Sequence, residues 1–249
     1  MRLRVVGLVV ALLVCASGAR GETAAEESGL CRGAIVDAEA RWHTPPGLLL
    51  AIARAESGRP VAGLAGLQPW PWAIDADGAA MFSDSKAAAM AWTRQSGAHL
   101  IDVGCMQVNL QAHPSAFRSL EDAFDPTRNA DYAGRFLSEL AQEAGGNWFE
   151  AVGWYHSRTP DLAADYRERV AAIAAGRVPP PGRAEPLYLR AIQQGTLRLA
   201  LAGGGSLVVR LNRQPSARGH RRKSPCEVAA ILAPIMRSPA RAGACGGVR

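Results

Sequence analysis

From Leu30 to about residue 176, apolar residues recur at the 3.6-residue period of buried helix faces. "LCRGAIVDAEARW" sets Leu30, Ala34, Ile35, Ala38 and Trp42 on one stripe. "LLLAIARAES" sets Leu48, Ile52 and Glu56 at i, i+4 and i+8, with Leu49 and Ala53 alongside. Thr44 is the expected N-cap of that second helix, Pro45 its first turn and Gly58 its stop. "SDSKAAAMAWTRQ" has serine caps and an alanine-rich body. "DPTRNADYAGRFLSELAQEAG" starts at Asp125–Pro126 and stripes Ala133, Phe136, Leu137, Leu140 and Ala144. "NWFEAVGWYH" aligns Trp148, Val152 and Tyr155, and "TPDLAADYRERVAAIAAG" aligns Leu162, Tyr166, Val170 and Ile173 or Ala174. About six helices with little strand signal predict an all-α domain over residues 30–176, large enough for one core.

Between Ser57 and Ser83 the period is lost, in a stretch holding Trp70, Trp72 and "IDADG". The Asp-Gly pair predicts a small hairpin. "IDADG" also looks like half a calcium loop, but no further ligand run follows it, so no calcium is expected. Beyond residue 176, "VPPPGRAEP" reads as a linker. "TLRLALAGGGSLVVRL" reads as a second β-hairpin, and "RQPSARGHRRKSP" as a basic stretch of disorder-prone composition.

Glu56 breaks its own pattern, because it puts a carboxylate in line with core-facing leucines in the last turn of a helix. The carbonyl end of the helix and a low-dielectric surrounding both disfavour the ionised form. A carboxyl kept protonated near neutral pH is what a general acid requires. A surface glutamate that only frays the helix end is the competing reading.

The N-terminus "MRLRVVGLVVALLVCASGA" has a basic start, a short apolar run and small residues, which predicts a signal peptide over residues 1–19. Removing it leaves Cys31, Cys105, Cys226 and Cys245, an even set for an exported chain. Three pairings are open, and proximity favours Cys31–Cys105 with Cys226–Cys245. Charge divides the chain: residues 177–249 hold 13 basic and 2 acidic residues, whereas residues 21–176 hold 12 basic and 20 acidic. Such asymmetry predicts a folded domain followed by a basic C-terminal region able to meet anionic wall polymer or lipid. Export makes nucleic acid an unexpected partner, and no other segment is long and apolar enough to span a bilayer. The five histidines show no ligand-like pairing, so neither a metal nor a cofactor is expected.

Three short motifs occur in order: "ESG" at Glu56–Gly58, "GCMQVN" at Gly104–Asn109 and "VGWYHS" at Val152–Ser157, followed by Tyr166. In an exported helical domain they resemble the lytic transglycosylases with a soluble-lytic-transglycosylase (SLT) type catalytic domain, of the lysozyme-like superfamily. The resemblance spans roughly Cys31 to Gly176. It implies that Glu56 is the sole catalytic acid and base, and that Ser57 helps to hold the bound sugar. It also implies that Gly104, Met106, Gln107 and Asn109 line the saccharide cleft, and that Tyr155 and Tyr166 stand close to the acid. Two positions depart from the family: His156 stands where Asn is usual, and Trp154 where a small residue is usual.

The implied substrate is the glycan strand of peptidoglycan, and the implied compartment is the periplasm. Trp70 and Trp72 are candidates for stacking on sugar rings, with the core as their alternative place. Two other readings compete. One is a hydrolytic muramidase of the goose-lysozyme type, in which Asp75, Asp77 or Asp102 would position water. The other is a non-catalytic wall-binding or scaffold protein of a cell-envelope secretion or conjugation machine, with its basic region as the working part.

Overall fold

The computed structural model describes residues 23–177, 196–200, 206–210 and 224–236. The expected signal peptide, the "VPPPGRAEP" linker, most of the basic stretch and Cys245 lie outside these residues.

Helix α1 (Ala24–Arg41) opens with a capping box between Thr23 and Glu26 and buries Cys31, Ala34, Ile35 and Ala38. Leu30, expected on that stripe, is 42% exposed instead. Helix α2 (Leu48–Glu56) starts later than its sequence implied. Thr44 does not cap it, and its buried Oγ1 has no partner. The cap comes from the preceding helix: the Glu39 carboxylate accepts N–H bonds from Gly47, Leu49 and Leu50 at 2.8, 2.8 and 3.2 Å. Burial raises the pKa of Glu39, and the three N–H groups act in the opposite sense. Gly58 closes α2 by close approach, since a Cβ there would lie 2.1 Å from the Arg54 carbonyl oxygen.

Strands β1 (Arg59–Pro60) and β2 (Leu67–Gln68) pair with each other. Next come β3 (Ala73–Ala76), β4 (Ala79–Phe82) and helix α3 (Lys86–Gln95). The predicted hairpin is β3–β4, turning on Asp77 and Gly78, both left-handed at φ 50° and 84°. The Asp77 carboxylate accepts the His99 and Leu100 N–H groups and is spent on the turn.

Strands β5 (Ile101–Val103) and β6 (Val108–Asn109) extend the sheet beyond what periodicity suggested. All four residues of β3 are buried, so no alternation marks it, and the other strands before residue 110 are two to four residues long. Helices α4 (Leu120–Ala123), α5 (Pro126–Glu143), α6 (Trp148–His156) and α7 (Pro160–Ala174) follow. Asp125 caps α5 and Pro126 stands in its first turn, as expected.

The helices dominate, giving the α-rich, lysozyme-like architecture with small hairpins that was expected. One core joins α1, α2, α5, α6 and α7 through residues such as Ile35, Leu49, Ile52, Leu137, Val152 and Val170. A second, around Ile74, Met81, Phe82 and Phe124, lies between the sheet and α3.

Beyond residue 177, β7 (Thr196–Ala200) and β8 (Ser206–Arg210) form the second predicted hairpin. Strand β7 runs parallel to β4, with Met81 opposite Arg198, which completes the order β6-β5-β3-β4-β7-β8. Helix α8 (Pro225–Met236) packs against α6 and α7, with Val228 and Leu232 at 3% and 0% exposure in the first core. Among the described residues, no helix is long and apolar enough to cross a membrane.

Candidate active site

Glu56 ends α2 half-buried, and the side chain that meets it comes from α7. Tyr166 Oη donates to Glu56 Oε1 at 2.5 Å across a sequence separation of 110 residues. Tyr166 is 2% exposed. Burial first, and then the Glu56 charge, hold its hydroxyl proton well above the ordinary tyrosine range. Tyr155 on α6 is pushed up in the same way, by burial and then by Glu56, which places it in the field of the same carboxylate. Both phenols therefore stay protonated, as hydrogen-bond donors, beyond the pH at which an ordinary tyrosine ionises.

The loop between β5 and β6 faces this group and is braced from four helices. Ser57 Oγ, after α2, donates to the Cys105 carbonyl at 2.6 Å. Tyr155 Oη, from α6, donates to the Met106 carbonyl at 3.0 Å. Cys31, from α1, forms the favoured disulfide with Cys105. Asn129, from α5, is fully buried: its Oδ1 accepts the Met106 N–H, and its Nδ2 donates to the Val103 and Ala123 carbonyls. Gly104 is required here twice over. Its φ is 81°, and a Cβ would meet Asn129 Nδ2 at 2.6 Å. Cys226 is also disulfide-bonded, and Cys245, the partner favoured by proximity, lies outside the described residues.

The motif residues divide by where their polar groups go. Ser57 is fully buried and spends its hydroxyl on Cys105 and on the Trp70 N–H, so it braces the loop rather than facing a sugar. Met106 is 0% exposed, so its side chain is core and only its backbone serves the site. Asn109 donates to Asp102, its partner across β5 and β6, at 2.6 Å and accepts the Gln111 and Ala112 N–H groups in the turn that follows.

Gln107 differs from these. It is left-handed at φ 48°, donates to the Ala73 and Gly104 carbonyls, and keeps a buried Oε1 with no partner. Trp70 and Trp72, at 3% and 5% exposure, offer no face to a sugar. Their indole N–H groups are held inside the protein by the Ser83 carbonyl and the Glu27 carboxylate. Both family departures sit in the last turn of α6. Trp154 lies under the Arg158 guanidinium at 4.4 Å, and exposed His156 stacks on Tyr166.

Comparison with protein families matches residues 73–169 to the transglycosylase SLT domain. Residues 73–169 thus belong to an SLT-type transglycosylase domain. The SLT match begins after Glu56 and Ser57, which join the domain physically through Tyr166 and Cys105. Domains of this family act on peptidoglycan, outside the cytoplasm, and the Cys31–Cys105 disulfide suits an oxidising compartment. Comparison with curated proteins and with solved structures gives no match.

Reading the motifs alone misses Asn129 and Glu39. Each carries the same signal as Glu56, a polar side chain on an apolar stripe. Asn129 lies four residues before Ala133, and Glu39 four after Ile35.

Proposed function

We propose that this SLT domain is a peptidoglycan lytic transglycosylase that cleaves the β-1,4 bond between N-acetylmuramic acid and N-acetylglucosamine, with Glu56 as acid and then base. The observation that carries the reading is the contact of Tyr166 Oη with Glu56 Oε1 at 2.5 Å, with Glu56 half-buried at a helix end. That bond fixes the direction of the carboxyl, so a proton on Oε2 is aimed rather than free to swing. Oε2 protonates the bridging glycosidic oxygen and the bond to the anomeric carbon breaks. The acetamido oxygen of the muramic acid relieves the developing positive charge. Glu56, now ionised, takes the proton of the same sugar's primary hydroxyl, whose oxygen closes on the anomeric carbon as a 1,6-anhydro ring. The proton gained balances the proton lost, and no water is consumed. Gln107, half-buried in the β5–β6 loop, is the residue we assign to the substrate's acetamido group. Export by residues 1–19 to the periplasm belongs to this reading.

Glu56→Gln keeps the shape and removes the titrating proton. It is expected to abolish release of anhydro-muropeptides from purified wall sacculi with the fold intact by circular dichroism. Digestion by this variant at the wild-type rate would overturn the assignment.

One observation favours a second reading. Asp75 and Asp102 are directly opposed on β3 and β5, and Asp102 lies close enough to raise the Tyr155 pKa. A second carboxylate there would suit a hydrolytic muramidase that positions water. Product mass decides: anhydro ends support the transglycosylase, and reducing ends, heavier by one water, support the hydrolase.

A further inference from the structure

His156 stands at the C-terminal end of α6, exposed, with its ring stacked on Tyr166 at 4.8 Å between centroids and 5° between planes. The stack depends on how closely α6 approaches α7. Gly153, one turn before His156, permits that approach, because a Cβ there would lie 3.0 Å from Ala163 Cβ and 3.2 Å from the Ala163 carbonyl oxygen. Tyr166 therefore has one end of its ring system against Glu56 and one face under an imidazole. A 2.5 Å O–H···O bond is sensitive to angle, and a phenol free to rock about its side-chain torsions would not hold it. A flat ring parallel to the phenol removes that freedom on the outer face, where a short amide side chain has no comparable surface.

We propose that His156 is a positioning residue: by stacking on Tyr166 it holds the phenol hydroxyl against Glu56, and so aims the acid. The inference rests on the reading of Glu56 as the reacting acid, and it assigns to the unusual histidine a part in that chemistry that does not require contact with the sugar.

The test is a mutant cycle on purified protein with soluble glycan fragments. His156→Ala is expected to lower kcat about tenfold while KM stays within about twofold, the pattern of a loss confined to the transition state. His156→Phe, which keeps a flat ring, is expected to retain kcat within about threefold. In a Tyr166→Phe background, His156→Ala is expected to cost nothing further, because the hydroxyl it positions is gone. A raised KM with unchanged kcat, or an equal loss in both backgrounds, would mean that His156 acts on the sugar directly and would overturn the proposal.

A second readout needs no activity. A phenol proton in a short bond to a carboxylate gives a downfield proton resonance in the free protein. That signal is expected in the wild type and in His156→Phe, absent from Tyr166→Phe, and lost or broadened in His156→Ala at unchanged melting temperature. A His156→Ala protein that keeps the resonance refutes the positioning role. A wild-type protein that shows the resonance but cleaves no glycan refutes the proposed function while leaving the stack standing.

Discussion

The Ser57 hydroxyl donates to the Cys105 carbonyl at 2.6 Å, tying the residue after the candidate acid to the loop that carries the rest of the site. The same oxygen accepts the Trp70 N–H at 3.1 Å, so one buried atom joins α2, the β5–β6 loop and the indole-bearing segment. Ser57→Ala leaves both partners buried and unmet. It is expected to destabilise the fold by about 1–3 kcal/mol and to lower turnover without a selective rise in KM. Urea denaturation alongside kinetics checks this. A variant of full stability with weakened sugar binding would restore Ser57 to the cleft.

The Cys31–Cys105 bridge closes 74 residues of chain and anchors the same loop to α1. Removal of a native disulfide typically costs about 2–5 kcal/mol. The double substitution Cys31→Ser, Cys105→Ser is expected to lose stability in that range and to lose activity at temperatures below its melting point, because the loop loosens before the core does. Activity that tracks the folded fraction alone would show that Asn129 and Ser57 hold the loop without the bridge.

Burial and the Glu56 charge raise the pKa values of Tyr155 and Tyr166 above the ordinary value of 10.0. Above about pH 10 the unfolded chain releases these protons while the native state keeps them. The unfolded state then binds fewer protons, and stability falls as pH rises. The native protein is expected to show tyrosinate absorbance that lags behind that of the denatured chain, with a melting temperature that declines from about pH 10 upward. A native titration coincident with the denatured one would place the two phenols in contact with water.

The C-terminal region carries two separable properties. Val228 and Leu232 of α8 belong to the main core, so Leu232→Ala is expected to cost about 2–5 kcal/mol. Deleting residues 177–249 is expected to cost more, and to reduce turnover on soluble fragments through stability. That departs from a tail read as an appendage. The charge of the region, 13 basic residues against 2 acidic, acts apart from packing. Neutralising Arg221, Arg222 and Lys223 is expected to weaken binding to intact sacculi at low salt, and to make no difference at high salt, where exposed charges are screened. Binding that stays unequal at high salt would argue against an electrostatic tether.

Much of this protein is determined by order along the chain alone. The apolar period locates the helices. Asp77-Gly78 forms its hairpin because adjacent left-handed positions demand those residue types. Glu56 declares itself as a carboxylate on a buried stripe. These are local properties, settled within a turn or two of backbone.

Tertiary structure decided which groups meet. Tyr166 reaches Glu56 from 110 residues away, Asn129 brackets the Gly104 loop from α5, and Glu39 caps a helix that Thr44 was expected to cap. It also put Trp70 and Trp72 inside, where the sequence left core and cleft open, and the Met106 side chain, which the family resemblance had set in the cleft. The physical reason is that periodicity reports the face a residue takes on its own element. Whether that face closes against another helix, a strand or open water depends on packing between elements distant in sequence. The polar residues left on closed faces are the ones that became the site and its braces.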